Sequence, residues 1–269
     1  MSYRIKWTFF LLLLMVLCSC SNENDGKLTF ERLEAEKSVK LSNEELSPLC
    51  SVSLKMDCAT KESGKVGEKI NSTIVYRLFN QDGISMQAAM NQYTDAYTLS
   101  YKQHMLPLYN EDRADTTKRS WYEFHYIINA TAEQTSRRTL AYLATIDYSE
   151  GHANSIHQLV PFNFYSATGE EILPKDIFVA GYETQLPRLL LEALMQKAEV
   201  NDLSQLKEKG YLTTVDMYVP ENMIVSDNTI TFIFNPSEIA SLELGTIELV
   251  LTYAQMQKFI KTSFIKTLQ

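Results

Sequence analysis

Apolar side chains recur along this chain with two different periods. From Thr139 to Tyr148 the pattern alternates, with Leu140, Tyr142, Ala144 and Ile146 on one side, as in a strand with one buried face. The aromatic and β-branched run Trp121–Ala130 precedes it across the polar stretch 130–138, so the two read as an antiparallel hairpin. Ile156–Tyr165 is a further strand. Met223–Val225 and Thr229–Phe234 flank the turn residues Ser226-Asp227-Asn228, and Ile247–Tyr253 is the last strand. Elsewhere the period is three to four. Met86, Met90, Tyr93, Tyr97, Tyr101 and His104 place a helix over Ser85–Leu106, stopped by Pro107. Such a tyrosine stripe fits a helix face packed on a sheet, hydroxyls at the rim, better than a sugar platform. Leu186, Leu189, Leu190, Leu194 and Met195 mark a helix over Glu183–Ala198. Leu203–Lys209, ended by Gly210, and Ala254–Phe264 are two more. Between Ser51 and Phe79 short β-prone runs alternate with turn residues, and 63–67 reads as a loop. The scattered apolar positions of 27–48 fit a strand or a helix equally. The mixture predicts an α+β fold, with antiparallel sheets, helices packed on one face and two intimately joined subdomains.

The N-terminus follows neither period. Arg4 and Lys6 precede an apolar run from Phe9 to Cys18. That run is shorter than the ~20 residues of a bilayer span and has the length of a signal-peptide core. Leu17-Cys18-Ser19-Cys20 follows and resembles the lipobox of bacterial lipoproteins. The resemblance implies a signal peptide over 1–19 and a lipid attached to Cys20 by a thioether. Cys18 is the poorer acceptor because bulky Leu17 precedes it. The polar, acidic residues after Cys20 predict a flexible tether. The expected organisation is a tether over 20–45, an N-terminal subdomain over 46–150 and a C-terminal one over 151–269. The expected location is the cell envelope, anchored to the outer membrane on its periplasmic or its surface side.

Composition narrows the partners. Removing 19 residues from 269 leaves 250, enough for one large domain or two small ones, and 45% hydrophobic content can fill a core. Without Arg4 and Lys6, 23 basic residues face 33 acidic ones, a net charge of −10. That balance argues against nucleic acid and against charge-driven binding to an anionic membrane, so membrane attachment falls to the lipid. A cationic partner would be steered inward, although most such charge serves solubility. Cys50 and Cys58 stand eight residues apart. An oxidising compartment favours a disulfide across a hairpin or bulge; the alternative is two free thiols on one face of a strand. Asp115-Thr116-Thr117 matches the O-glycosylation triplet of some gram-negative bacteria, which would make Thr116 the acceptor.

A longer pattern carries a family resemblance. Asn222 to Asn235, then Pro236-Ser237-Glu238-Ile239-Ala240, then Gly245 to Tyr253 keep the order and spacing of the RsiV-type envelope domain family. Upstream, Gly151-His152-Ala153-Asn154, Phe162-Asn163-Phe164, Thr168-Gly169 and Asp176-Ile177-Phe178 are similar to a second signature of that family. Trp121-Tyr122 and the helix before it resemble the companion domain, so the likeness spans roughly residues 50–260. The family includes the lysozyme-sensing extracellular part of an anti-sigma factor and many lipoproteins of unknown function. The resemblance implies a ligand site at two loops, with Gly151, His152, Ala153, Asn154, His157, Pro236, Ser237 and Glu238 as candidates. The family histidine falls on Asn154 and Ser237 replaces its tyrosine, which points to a different or weaker ligand.

Catalytic signatures are missing. The sequence holds no nucleophile elbow, phosphate-binding loop, zinc-protease motif or dinucleotide fingerprint. His152 and His157 would need Glu150 or Asp147 to hold a metal, and hydrogen-bonded loop histidines are commoner. Glu170 and Glu171 on a turn read as a solvated pair. The expectation is therefore a non-catalytic, lipid-anchored binding protein without cofactor or metal, its ligand a cationic protein such as lysozyme or a glycan. Its rivals are a cell-wall glycan hydrolase or deacetylase and a structural subunit of an envelope complex. The anti-sigma role is not expected, because no membrane-spanning helix or cytoplasmic segment precedes the apolar run.

Overall fold

The alternating runs pair into a five-stranded sheet. β1 (Phe30–Lys40), β2 (Leu49–Ala59), β3 (Phe124–Gln134), β4 (Thr139–Glu150) and β5 (Ile156–Tyr165) lie side by side in chain order. They belong to a computed structural model that describes residues 28–151 and 155–268. Cys20 with its lipobox, and His152, Ala153 and Asn154, lie outside the described residues. Three of the four strand pairs are antiparallel as expected. β2 and β3 run parallel, Cys50 opposite Phe124 and Met56 opposite Ala130, because the helical connection 60–123 crosses over and returns to the same end of the sheet.

That connection holds α1 (Gly64–Phe79) and α2 (Met86–Asp112), both packed on one face of the sheet. Helix α1 replaces the β-prone runs and loop expected there. Its buried residues Gly67, Ile70, Ile74, Val75 and Phe79 follow the helical period despite three β-branched side chains. Gly67 permits the close approach: a Cβ there would lie 2.5 Å from the Ser63 Cβ and 2.9 Å from the Ala59 Cβ. Asn80 ends the helix in the left-handed region, its N–H donating to the Tyr76 carbonyl at 2.8 Å. Helix α2 runs through Pro107 rather than stopping at it. The proline is on the exposed side, so water can take up the carbonyl it leaves unpaired. The last turns are held by Tyr109, which packs edge-on against Tyr122 and donates to Glu44 at 3.2 Å. The tyrosine stripe packs as expected: Tyr93 and Tyr97 meet Tyr126 of β3, and the Tyr101 hydroxyl donates to the Tyr122 carbonyl at 2.8 Å.

Two further expectations fail here. Residues 30–40 of the expected tether are the edge strand β1, whose outward positions Arg32, Glu34 and Glu36 discourage edge-to-edge pairing. Cys50 and Cys58 are free thiols, not a disulfide. Both sit on the helix-facing side of one unbroken strand, about 26 Å apart at the usual rise, whereas a disulfide needs Cα atoms within ~7 Å.

A second core forms around β6 (Met223–Val225), β7 (Thr229–Phe234) and β8 (Ile247–Thr252), an antiparallel three-stranded sheet. It is flanked by the short helix α3 (Pro174–Ile177), by α4 (Leu186–Lys197), which buries Leu186, Leu190 and Leu194, by α5 (Leu203–Glu208) and by α6 (Thr262–Leu268). The helix expected over Ala254–Phe264 is instead a series of turns leading into α6. Its backbone is used otherwise: Val179 donates to the Phe259 carbonyl and Lys261 to that of Ile177, each at 2.8 Å. The expected subdomain boundary at 150 falls inside the first sheet, because β5 pairs with β4 from Tyr148–Ile156 to Thr139–Tyr165.

Candidate ligand-binding site

Two buried asparagines join the sheets. Asn163 of β5 is 4% exposed; its side-chain amide donates to the Met223 carbonyl at 2.7 Å and accepts from the Val225 N–H at 2.9 Å. Asn235, just after β7, accepts from the Leu159 N–H at 2.7 Å and donates to the Leu159 carbonyl at 3.3 Å. Each supplies the paired donor and acceptor that a neighbouring strand would supply, so two sheets with separate cores meet along a polar seam. The seam fixes where each candidate residue lies.

Beside Asn163 the seam opens into a cleft of about 610 Å³. One wall is Arg77 from α1 and Phe162 from β5, with the guanidinium 5.4 Å from the ring centroid. Arg77 also lies 3.6 Å from the Glu171 carboxylate. Glu171 bridges to the edge of β5 opposite Phe164, and burial pushes its carboxyl above the ordinary range while Arg77 pulls it back. The expected solvated pair therefore divides: Glu170 is exposed and pairs with Lys69 at 2.9 Å, while Glu171 faces the cleft. The opposite wall is Tyr182, stacked on Phe178 at 4.5 Å, with Glu183 and Glu221 close enough to push the phenol upward after burial has done so. Lys175 and Lys261 complete the charge, three cations against three carboxylates.

Residues 175–254 match the family model described as "Protein of unknown function (DUF3298)". That stretch is similar to a DUF3298 domain. No curated protein matches the chain. Solved structures share its fold, two of them described as DUF3298 proteins. A DUF3298 family member from Bacteroides fragilis aligns with a TM-score of 0.83 at 22% identity, over 91% of this chain and 98% of that one. A DUF3298 family protein from Pseudomonas aeruginosa aligns with a TM-score of 0.58 at 12% identity, over 88% and 96%. Both alignments reach well beyond residues 175–254, so the five-stranded sheet belongs to the shared fold.

The cleft straddles the edge of the matched stretch: Lys175, Tyr182, Glu183 and Glu221 lie inside it, Arg77, Phe162, Glu171 and Lys261 outside. Among the described residues, none of those expected to bind a ligand lines the cleft. They gather in part at the other end of the seam. His157 pairs across the sheet with Asp147, Nδ1 to Oδ1 at 2.5 Å, on the sheet face away from α1 and α2. It is two residues from Leu159, which Asn235 holds beside the turn Pro236-Ser237-Glu238. Ser237 takes a φ of 70°, and Glu238 accepts from the Tyr218 hydroxyl at 3.2 Å, which with burial lifts that phenol to about 12. Gly151 serves structure: its φ is 70°, and a Cβ would sit 2.0 Å from the Trp121 carbonyl oxygen. Of the metal ligands weighed, Asp147 meets His157, but Glu150 points to the helix side and accepts from the Tyr97 hydroxyl at 2.8 Å. Among the described residues no group of three or more His, Cys, Asp or Glu could hold a metal. Thr116 is exposed, and the Asp115 carboxylate beside it accepts from the Thr117 N–H at 3.0 Å.

Phe162-Asn163-Phe164 and Asn235 stood within the family pattern without a role of their own. Their buried position on the seam supplies it, and the asparagines' place inside apolar runs was the readable signal.

Proposed function

We propose that this chain is a lipid-anchored, non-catalytic binding protein of the cell envelope, of RsiV type, which takes a cationic protein such as lysozyme, or a glycan, along its seam. The observation that carries the reading is the cleft itself: an open site of about 610 Å³ built from both subdomains, with an aromatic pair and charges of both signs fixed in its walls. Binding sites favour such convergence of apolar surface and a few placed polar groups. The net charge, −8 for the whole chain and −10 once Arg4 and Lys6 leave with the signal peptide, supports steering of a cationic partner. The lipobox-like Leu17-Cys18-Ser19-Cys20 supports the anchor.

Calorimetric titration of lysozyme into the intact protein, at low and at moderate salt, tests the reading. Binding that survives moderate salt and weakens in Tyr182→Ala or in Glu238→Ala is expected. Heat that vanishes with salt would mean only the fold is shared. For the anchor, radiolabelled palmitate should enter the wild type and not Cys20→Ala, and equal labelling of both would remove the assignment. One observation favours a second reading, a glycan hydrolase: Glu171 is a partly buried carboxyl with a raised pKa, across a cleft from Glu183 and Glu221. Release of sugar from cell-wall glycan by the wild type but not by Glu171→Gln would establish it.

A further inference from the structure

The cleft does not end at the seam. A second hollow of about 480 Å³ adjoins it and shares Glu171, Leu173, Lys175 and Lys261 with it. The two hollows flank the ridge Leu173–Lys175, where the Lys261 ammonium donates to the Lys175 carbonyl. A groove with two adjoining hollows suits a chain of repeating units better than one compact molecule. Its charge suits an uncharged one: the first hollow balances three cations with three carboxylates, and the two carboxylates the second hollow adds are already engaged, Glu170 with Lys69 at 2.9 Å and Asp176 with the Leu173 N–H at 2.9 Å. Arg77 already has Glu171 as partner, and Lys261 a carbonyl. An ionic ligand would have to displace these contacts. A ligand rich in hydroxyls, each both donor and acceptor, can add to them. Tyr182 supplies the remaining element. Its ring stands on Phe178 at 4.5 Å and 20° between planes, so the ring is already immobilised before a ligand arrives. The apolar face of a sugar stacks on such a ring while its hydroxyls reach the neighbouring Glu183 and Glu221 carboxylates.

The geometry points to one oligosaccharide-binding groove, formed by the two hollows, with Tyr182 as the ring on which a neutral sugar unit stacks. This rests on the binding reading above and names the ligand class at the same site. The test is calorimetric titration of the intact protein with tetrasaccharides of β-1,4-linked N-acetylglucosamine, α-1,4-linked glucose and β-1,4-linked glucose, with their monosaccharides alongside. At least one tetrasaccharide is expected to bind ~10-fold or more tightly than its monosaccharide, as filling a second subsite requires. Tyr182→Ala should weaken it by about tenfold, and Tyr182→Phe, which keeps the ring, by no more than about threefold. Circular dichroism of both variants checks that the fold persists, and Glu183→Gln is the alternative probe should Tyr182→Ala unfold. No binding by any tetrasaccharide, binding indifferent to Tyr182 and Glu183, or displacement of the sugar only by cationic peptides overturns the groove. Lysozyme that still binds such a protein would leave the parent reading standing. Tetrasaccharide that binds and is then cleaved would keep the groove and remove the non-catalytic reading.

Discussion

At the scale of single residues, two buried asparagines and one carboxyl decide most. Asn163→Ala leaves the Met223 carbonyl and the Val225 N–H buried without partners, at about 1–3 kcal/mol for each group. Chemical denaturation should show a total loss of about 2–6 kcal/mol for the two groups together. A loss within ~0.5 kcal/mol would mean the seam does not depend on this contact. Glu171 gives a pH dependence. Its pKa is raised in the folded state, so its contribution is fully present below the ordinary value of 4.5 and is lost as pH rises through the folded value. Glu171→Gln cannot ionise and should therefore gain stability relative to wild type as pH rises above 4.5. Parallel stability profiles would place the carboxyl in water instead. Neither role was legible beforehand. Adjacent glutamates on a turn look solvated, and only the bridge of Glu171 to the edge of β5 turns one of them inward. The asparagines were visible as polar residues inside Phe162-Asn163-Phe164 and at the end of β7, but nothing local says which backbone they satisfy.

At the scale of elements, strong periods were readable and weak ones were not. Thr139–Tyr148, Ile156–Tyr165 and the hairpin Met223–Phe234 became strands within about two residues of expectation, because alternation with one apolar face has few other solutions. Helix α1 was hidden by its β-branched residues and by Gly64 and Gly67, although its buried positions keep a helical period. Tertiary packing overrode propensity there, and Gly67 is required by the approach to β2 rather than by a loop. The parallel β2–β3 pair was not legible either, since parallel pairing depends on a long crossover that had been split into short strands. The free thiols follow from the same level. Cys50 is fully buried, and burial lifts its thiol to about 11, while Cys58 is half-buried. Both should resist alkylation in the native protein, Cys50 more than Cys58, and the intact mass under oxidising conditions should be that of the dithiol. A mass deficit of one disulfide would mean that β2 is not the unbroken strand described.

At the scale of the molecule, two sheets with separate cores meet at a polar seam, and the overall fold is shared with DUF3298 proteins from Bacteroides fragilis and Pseudomonas aeruginosa. A joint between two cores is where surface can stay open without weakening either, and there the cleft lies. The two loops singled out in the sequence lie apart from the cleft where they are described. His157 and Pro236–Glu238 share one end of the seam, while the cleft occupies the other and has no local signature in the sequence, because its residues come from 77, 162, 171–183, 221 and 261. The central claim is that ligand binds along this seam. Hydrogen–deuterium exchange of the intact protein, alone and with saturating lysozyme or tetrasaccharide, tests it most directly. The account predicts new protection confined to the seam, in residues 171–183 and 221–223 and at the turn 236–238. Protection on the α2 face or the β1 edge instead, or none with either ligand, would contradict it.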